Sequence, residues 1–180
     1  MNPDLLSVRR RATMILLALT LAAGIVGCSD PGSADWVTVS SGRLTVDRPA
    51  SWDTTMTVRR PWTAGFRAPA DQVEQFQVSG DFGEFSTATE AIGTLVGKAQ
   101  VSLAGFTVVE ARDVTIHGAT TGRLVRYTIN GDHNQPITGE WIVGAHYPYP
   151  QSVAVSIMSP TYDRDLEQRV ITTMRLKPQQ

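Results

Sequence analysis

The chain has 180 residues, with 16 Lys+Arg against 17 Asp+Glu, so it lacks the basic surplus that a nucleic-acid partner selects. A single cysteine excludes an intramolecular disulfide framework. A hydrophobic content of 42%, without repeats or low-complexity tracts, describes an ordinary globular chain rather than a disordered or fibrous one.

Arg9, Arg10 and Arg11 precede an uncharged run from Met14 to Val26, and small residues and Cys28 follow. That order is the layout of a bacterial export signal: charged segment, apolar segment, cleavage site. The thirteen-residue run rises only about 20 Å as a helix, short of the roughly 30 Å of a bilayer core. Ile25-Val26-Gly27-Cys28 resembles a lipobox, with Ile25 in place of the usual leucine. The resemblance implies that residues 1–27 are removed and that the Cys28 sulfur carries a diacylglycerol, whose two chains anchor stably where one would be marginal. The partner at that end is then the membrane, and the location is its extracytoplasmic face. Residues 28–35 read as a short polar linker with a Pro31-Gly32 kink, and residues 36–180 as one domain; from Cys28 onward the chain has a net charge of −3.

Within the domain, Leu44 to Asp47 alternates as a half-buried strand does, and Pro49 ends it. Short strands are predicted at Thr55–Val58, Ala64–Arg67 and Glu74–Ser79, with Gly80 and Gly83 breaking the pattern. Thr87-Ala-Thr-Glu90 fits a capping box. Ala88, Ala91, Ile92, Leu95, Val96 and Ala99 then follow helical spacing, and Gly105 stops the helix. Gly93 and Gly97 inside it imply flexibility or close packing on a sheet. Four strands follow. Phe106–Ile116 is bulged near Ala111–Asp113. Thr121–Ile129, Ile137–Tyr147 and Ser152–Met158 alternate with period two, so one face of each is expected to be the more buried. Asn130-Gly131, Pro148 and Pro150 mark turns. A last helix is predicted from Tyr162 to Met174, with Tyr162, Leu166, Val170, Ile171 and Met174 as its apolar stripe. Asp163, Asp165 and Glu167 crowd its start, and Arg175 and Lys177 follow its end, which complements the helix dipole.

This order of strands, helix, four-strand meander and helix, with Pro49 and Trp52 as a Pro-x-x-Trp and the small-residue turn Gly118–Gly122, resembles the PsbP/Mog1-like superfamily. Within it the chain resembles actinobacterial LpqN-type lipoproteins, over about residues 36–178. The resemblance implies an α+β fold, a twisted antiparallel sheet of about six or more strands with helices packed on it. It also implies a non-enzymatic binding or accessory role in the cell envelope, with no catalytic residues to carry over.

The residues support no specific chemistry. His117, His133 and His146 are not at metal-ligand spacing and have no second cysteine to help. There is no Gly-x-Ser-x-Gly elbow and no phosphate loop. No metal, cofactor or catalytic residue is therefore expected. Residues 43–67 are basic (Arg43, Arg48, Arg59, Arg60 and Arg67 against Asp47 and Asp53), whereas residues 71–90 carry five acids and no base. Two accounts are open: opposite charges paired across adjacent strands with Trp52 in the core, or a recognition surface built on Arg59, Arg60 and Trp62, residue types favoured at binding hot spots. A second candidate contact is "HYPYP", with Tyr147 and Tyr149; its bland account is a proline-guarded turn. Three functional classes follow. The first is docking on an envelope protein or component. The second is carriage or sensing of an apolar ligand such as a lipid, which needs an apolar cavity of several hundred Å³. The third is hydrolysis, which needs a Ser or Asp beside a histidine.

Overall fold

The alternating segments pair into two antiparallel sheets, and one helix covers each side of the larger. The computed structural model describes residues 36–69, 73–132, 135–148 and 150–177; the export signal, Cys28 and the linker lie outside them. In chain order the elements are β1 (Trp36–Ser41), β2 (Leu44–Pro49), β3 (Thr54–Thr55), β4 (Ala64–Arg67), β5 (Gln75–Gly83), α1 (Ala88–Ser102), β6 (Thr107–Asp113), β7 (Thr121–Asn130), β8 (Pro136–His146), β9 (Gln151–Ser159), α2 (Arg164–Thr173) and β10 (Arg175–Leu176). The small sheet runs β1-β2-β10 and the large one β3-β4-β5-β9-β8-β7-β6. The α+β architecture expected from the sequence is the one observed.

Two cores lie on opposite faces of the large sheet. Because side chains alternate along a strand, Val125, Tyr127 and Ile129 of β7 and Trp141 and Val143 of β8 meet Ala91, Ile92, Leu95 and Ala99 of α1. Leu124, Ile142, Val153, Val155 and Ile157 meet Leu166, Val170 and Met174 of α2, together with Leu44 and Val46 of β2 and Leu176 of β10. Strands β8 and β9 are thus buried on both faces, unlike the one-sided burial their alternation predicts. The reason is that α1 covers one face while α2 and the small sheet together cover the other; the small sheet's edge strand β1 is not among the predicted strands. β1 takes its place only by pairing with β2, from Trp36↔Pro49 to Ser41↔Leu44.

Several boundaries move for local reasons. The strand predicted at Thr55–Val58 pairs only at Thr54 and Thr55, because Met56 and Val58 fold over Gly65, where a Cβ would lie 2.7 and 2.5 Å from their side chains. Gly80 does not end β5. A Cβ there would sit 1.6 Å from the Ser41 carbonyl oxygen, so its lack of a side chain lets the β1–β2 turn rest on β5, where Arg43 N–H donates to Gly80 O at 3.2 Å. The bulge in β6 falls between Val108 and Glu110, not at 111–113. Gly118, at φ +83°, lets β10 approach, and a Cβ there would fall 1.9 Å from Leu176 O.

Helix α1 begins as its sequence predicts. Glu90 N–H donates to Thr87 Oγ1 at 3.2 Å, while the Glu90 carboxylate accepts from Ser86 N at 3.4 Å, one residue before the usual target of a capping box. Gly93 and Gly97 have open space where a Cβ would be, so they do not mark close packing on the sheet. Helix α2 is shorter than predicted: Asp163 caps it through the amides of Asp165 and Leu166. Tyr162 precedes the helix and is exposed, and Arg175 belongs to β10.

Candidate functional site

The segment Arg59–Trp62 forms one wall of an open groove of about 540 Å³, lined by Arg60, Pro61, Trp62, Thr63, Asp81, Phe82 and Lys98. The segment is held in shape by its own hydrogen bonds. Trp62 N–H donates to Arg59 O at 3.0 Å, and Thr63 N–H to Val78 O at 2.9 Å. Ser79 Oγ donates to Pro61 O at 2.7 Å, and the Arg60–Pro61 peptide is cis. The Trp62 ring lies 5.9 Å from Phe82, and Phe82 lies 5.9 Å from Phe85, so an aromatic floor continues from the α1-side core out to solvent. β5 contributes Asp81 and Phe82, and α1 contributes Lys98. Arg59 and Arg60 are exposed beside this floor. An aromatic surface ringed by cations, with one acid, suits an acidic partner segment with an apolar anchor.

The other candidates do not join it. Tyr147 is 61% exposed on the β8–β9 turn, where its N–H donates to Thr120 Oγ1; it does not line the groove. Tyr149 lies outside the described residues, as does His133. His146 Nδ1 contacts Gly118 O at 3.2 Å. The His117 carbonyl accepts from Leu176 N. Among the described residues no serine or aspartate is hydrogen-bonded to either histidine ring, and no three potential metal ligands cluster.

The charge contrast between residues 43–67 and 71–90 has a partly structural origin. Arg48 is buried under Phe66, with its guanidinium carbon 4.3 Å from the ring centroid, and donates to the Pro49 and Trp52 carbonyls at 2.8 Å each. Burial draws its pKa down from the ordinary arginine value. Asp47 accepts from Thr38 and from Arg169 of α2. Trp52 is a core residue, as the structural account holds. Arg59 and Arg60 take no part in this.

A second cluster escaped the sequence reading. On the α2 side, Glu110 of β6, Arg126 of β7 and Glu140 of β8 are direct cross-strand neighbours, and Glu167 descends on them from α2. Arg112 Nη2 donates to Glu167 Oε1 at 2.6 Å and Arg112 Nε to Glu110 Oε1 at 2.9 Å. Arg126 pairs with Glu110, and its guanidinium carbon lies 3.9 Å from the Tyr162 ring centroid. Glu140 and Glu167 are only 4% and 2% exposed. Burial, then the neighbouring Glu167, pushes the Glu140 carboxyl up to about 8. The available signal was a glutamate between Gly139 and Trp141 inside an otherwise apolar strand.

No protein-family model matches the sequence, and no curated protein is detectably related to it. Solved structures do match in fold. The solution structure of cyanobacterial PsbP (CyanoP) from Synechocystis superposes with a TM-score of 0.56 at 15% identity, covering 85% of this chain and 99% of that one. The Ran-binding protein Mog1p of Saccharomyces cerevisiae gives 0.53 at 11% identity, over 80% and 96%. LpqN, involved in cell envelope biogenesis of Mycobacterium tuberculosis, gives 0.46 at 12% identity, over 84% and 88%. The fold is therefore PsbP/Mog1-like.

Proposed function

We propose that this chain is a lipid-anchored, extracytoplasmic binding protein of the bacterial envelope, of the LpqN type, which acts by docking and not by catalysis. The observation that carries the proposal is the lipobox-like Ile25–Cys28 at the end of an export signal, only eight residues before Trp36, where the folded domain begins. At about 3.5 Å per residue the tether reaches roughly 28 Å at most, so the domain works beside the bilayer. The groove of Arg60, Trp62 and Lys98 is the docking surface, and an acidic protein segment is its occupant. Mog1p, which shares the scaffold, is a Ran-binding protein, so this architecture can present a protein-docking surface.

The alternative of an apolar-ligand carrier has less support: among the described residues the grooves of about 450–590 Å³ are open to solvent, and the more enclosed chamber beside Glu140 holds only about 10 Å³. Intact mass of membrane-extracted protein tests the anchor. A diacylated chain beginning at Cys28 is expected, and a bare thiol with the leader attached overturns it. Crosslinking in the native envelope tests the groove. Arg60 is exposed, so Arg60→Glu leaves the fold intact and is expected to reduce the captured partner about 30-fold, the scale of a hot spot. Undiminished capture removes the groove from the proposal.

A further inference from the structure

We propose that Glu140 and Glu167 form a buried proton-binding site, in which one proton shared between the two carboxyls locks α2 onto the large sheet. Each carboxyl has one buried oxygen without a donor, Glu140 Oε1 and Glu167 Oε2, and both carboxyls converge on Arg126: Glu140 is its cross-strand partner, and Glu167 Oε2 lies 3.6 Å from its Nη1. Two ionised carboxylates held together repel, and a buried acceptor with no donor carries an uncompensated desolvation penalty. One proton removes both problems at once, turning one oxygen into a donor to the other.

The surrounding charges give the same stoichiometry. β6 presents Glu110 and Arg112, β7 presents Arg126, β8 presents Glu140, and α2 presents Glu167 with Gln168 Nε2 donating to it at 3.2 Å. Arg126 Nη1 stands 3.6 Å from Glu167 Oε2. β9 contributes the apolar Ile157 and the Ser159 hydroxyl to the small chamber beside Glu140. Tyr162 covers Arg126, and Asp163, which also lines that chamber, is engaged by the first amides of α2. Three carboxyls therefore face two guanidiniums at the centre, and a single proton makes the cluster neutral. Glu167 belongs to α2 and Glu140 to the sheet, so losing the proton sets two charges against each other across that joint.

The native state holds a proton that the unfolded chain releases near the ordinary glutamate value of 4.5. Stability from this site is therefore full below that pH and is lost as pH rises through about 8. The test is a carbon-13 titration of the glutamate carboxyls in the full chain in detergent, with melting followed over the same pH range. Glu140 is expected to stay protonated at neutral pH, and the melting temperature to fall by roughly 5 °C or more between pH 5 and pH 9. Glu140→Gln, whose amide donor cannot leave, is expected to flatten that fall. Glu110→Gln balances the cluster without a proton and is expected to move the Glu140 midpoint downward, which a merely structural glutamate would not show. A Glu140 carboxyl that has ionised by pH 6 overturns the proposal, as does a Glu140→Gln chain with the full pH dependence. If that variant does not fold, the titration of the unaltered chain and of Glu110→Gln decides alone.

Discussion

On the α1 side of the large sheet, Tyr127 and Trp141 lie 4.2 Å apart between ring centroids, with Phe106 5.2 and 5.9 Å from them. On the α2 side, the same three strands, β6 to β8, hold a ladder of charge: Glu110, Arg112, Arg126 and Glu140, closed by Glu167. The strands are shared, yet the two faces are joined to their helices by different forces. Apolar burial and ring contacts are indifferent to protons. Burial drives the Tyr127 hydroxyl further above its ordinary value, away from neutrality. The charged face gains little net free energy from its ion pairs, because desolvation offsets attraction, but it is damaged severely when one partner is removed. One joint is thus permanent, and the other depends on conditions.

The contrast can be broken first on the aromatic side. Trp141→Ala is expected to destabilise the domain by about 3–5 kcal/mol, equally at acid and neutral pH, in urea unfolding. A marked pH dependence of that loss would contradict the division between the faces. Arg126→Met comes next. Removing a cation from between Glu110, Glu140 and Glu167 is expected to cost about 3 kcal/mol at neutral pH, and less in strong acid, where protonation takes negative charge out of the cluster. An equal loss at both pH values would show that Arg126 contributes packing rather than charge. The smallest effect sharpens the comparison at α1. Gly93→Ala meets nothing within 4 Å, so it is expected to stabilise by about 1 kcal/mol without altering the pH profile, measured by thermal melting.

Local signals were read well where they act locally. The capping box at Thr87, the stripe from Ala88 to Ala99, strand β4 and the inward residues of β7 to β9 follow from periods of 3.6 and 2. The errors lie where a distant element intervenes. Gly80 looks like a strand breaker until the β1–β2 turn is seen resting on it. The bulge position in β6 depends on its register with β7. Strand β1 is invisible without β2. At the proposed docking groove, Arg59, Arg60 and Trp62 were legible as a composition, but Asp81, Phe82 and Lys98 join Arg60 and Trp62 only through the crossing of β5 and α1. Glu140 and Glu167 stand 27 positions apart, and no short-range pattern couples them.

By itself the sequence determined the cap of α1 and the alternation of the central strands, because each is written in residues within a few positions of one another. The tertiary structure decided which faces are covered twice, which arginines are engaged inside the domain, and that two glutamates are buried together. Those outcomes depend on burial and on charge at a distance of a few ångströms, quantities that exist only after the chain has closed on itself.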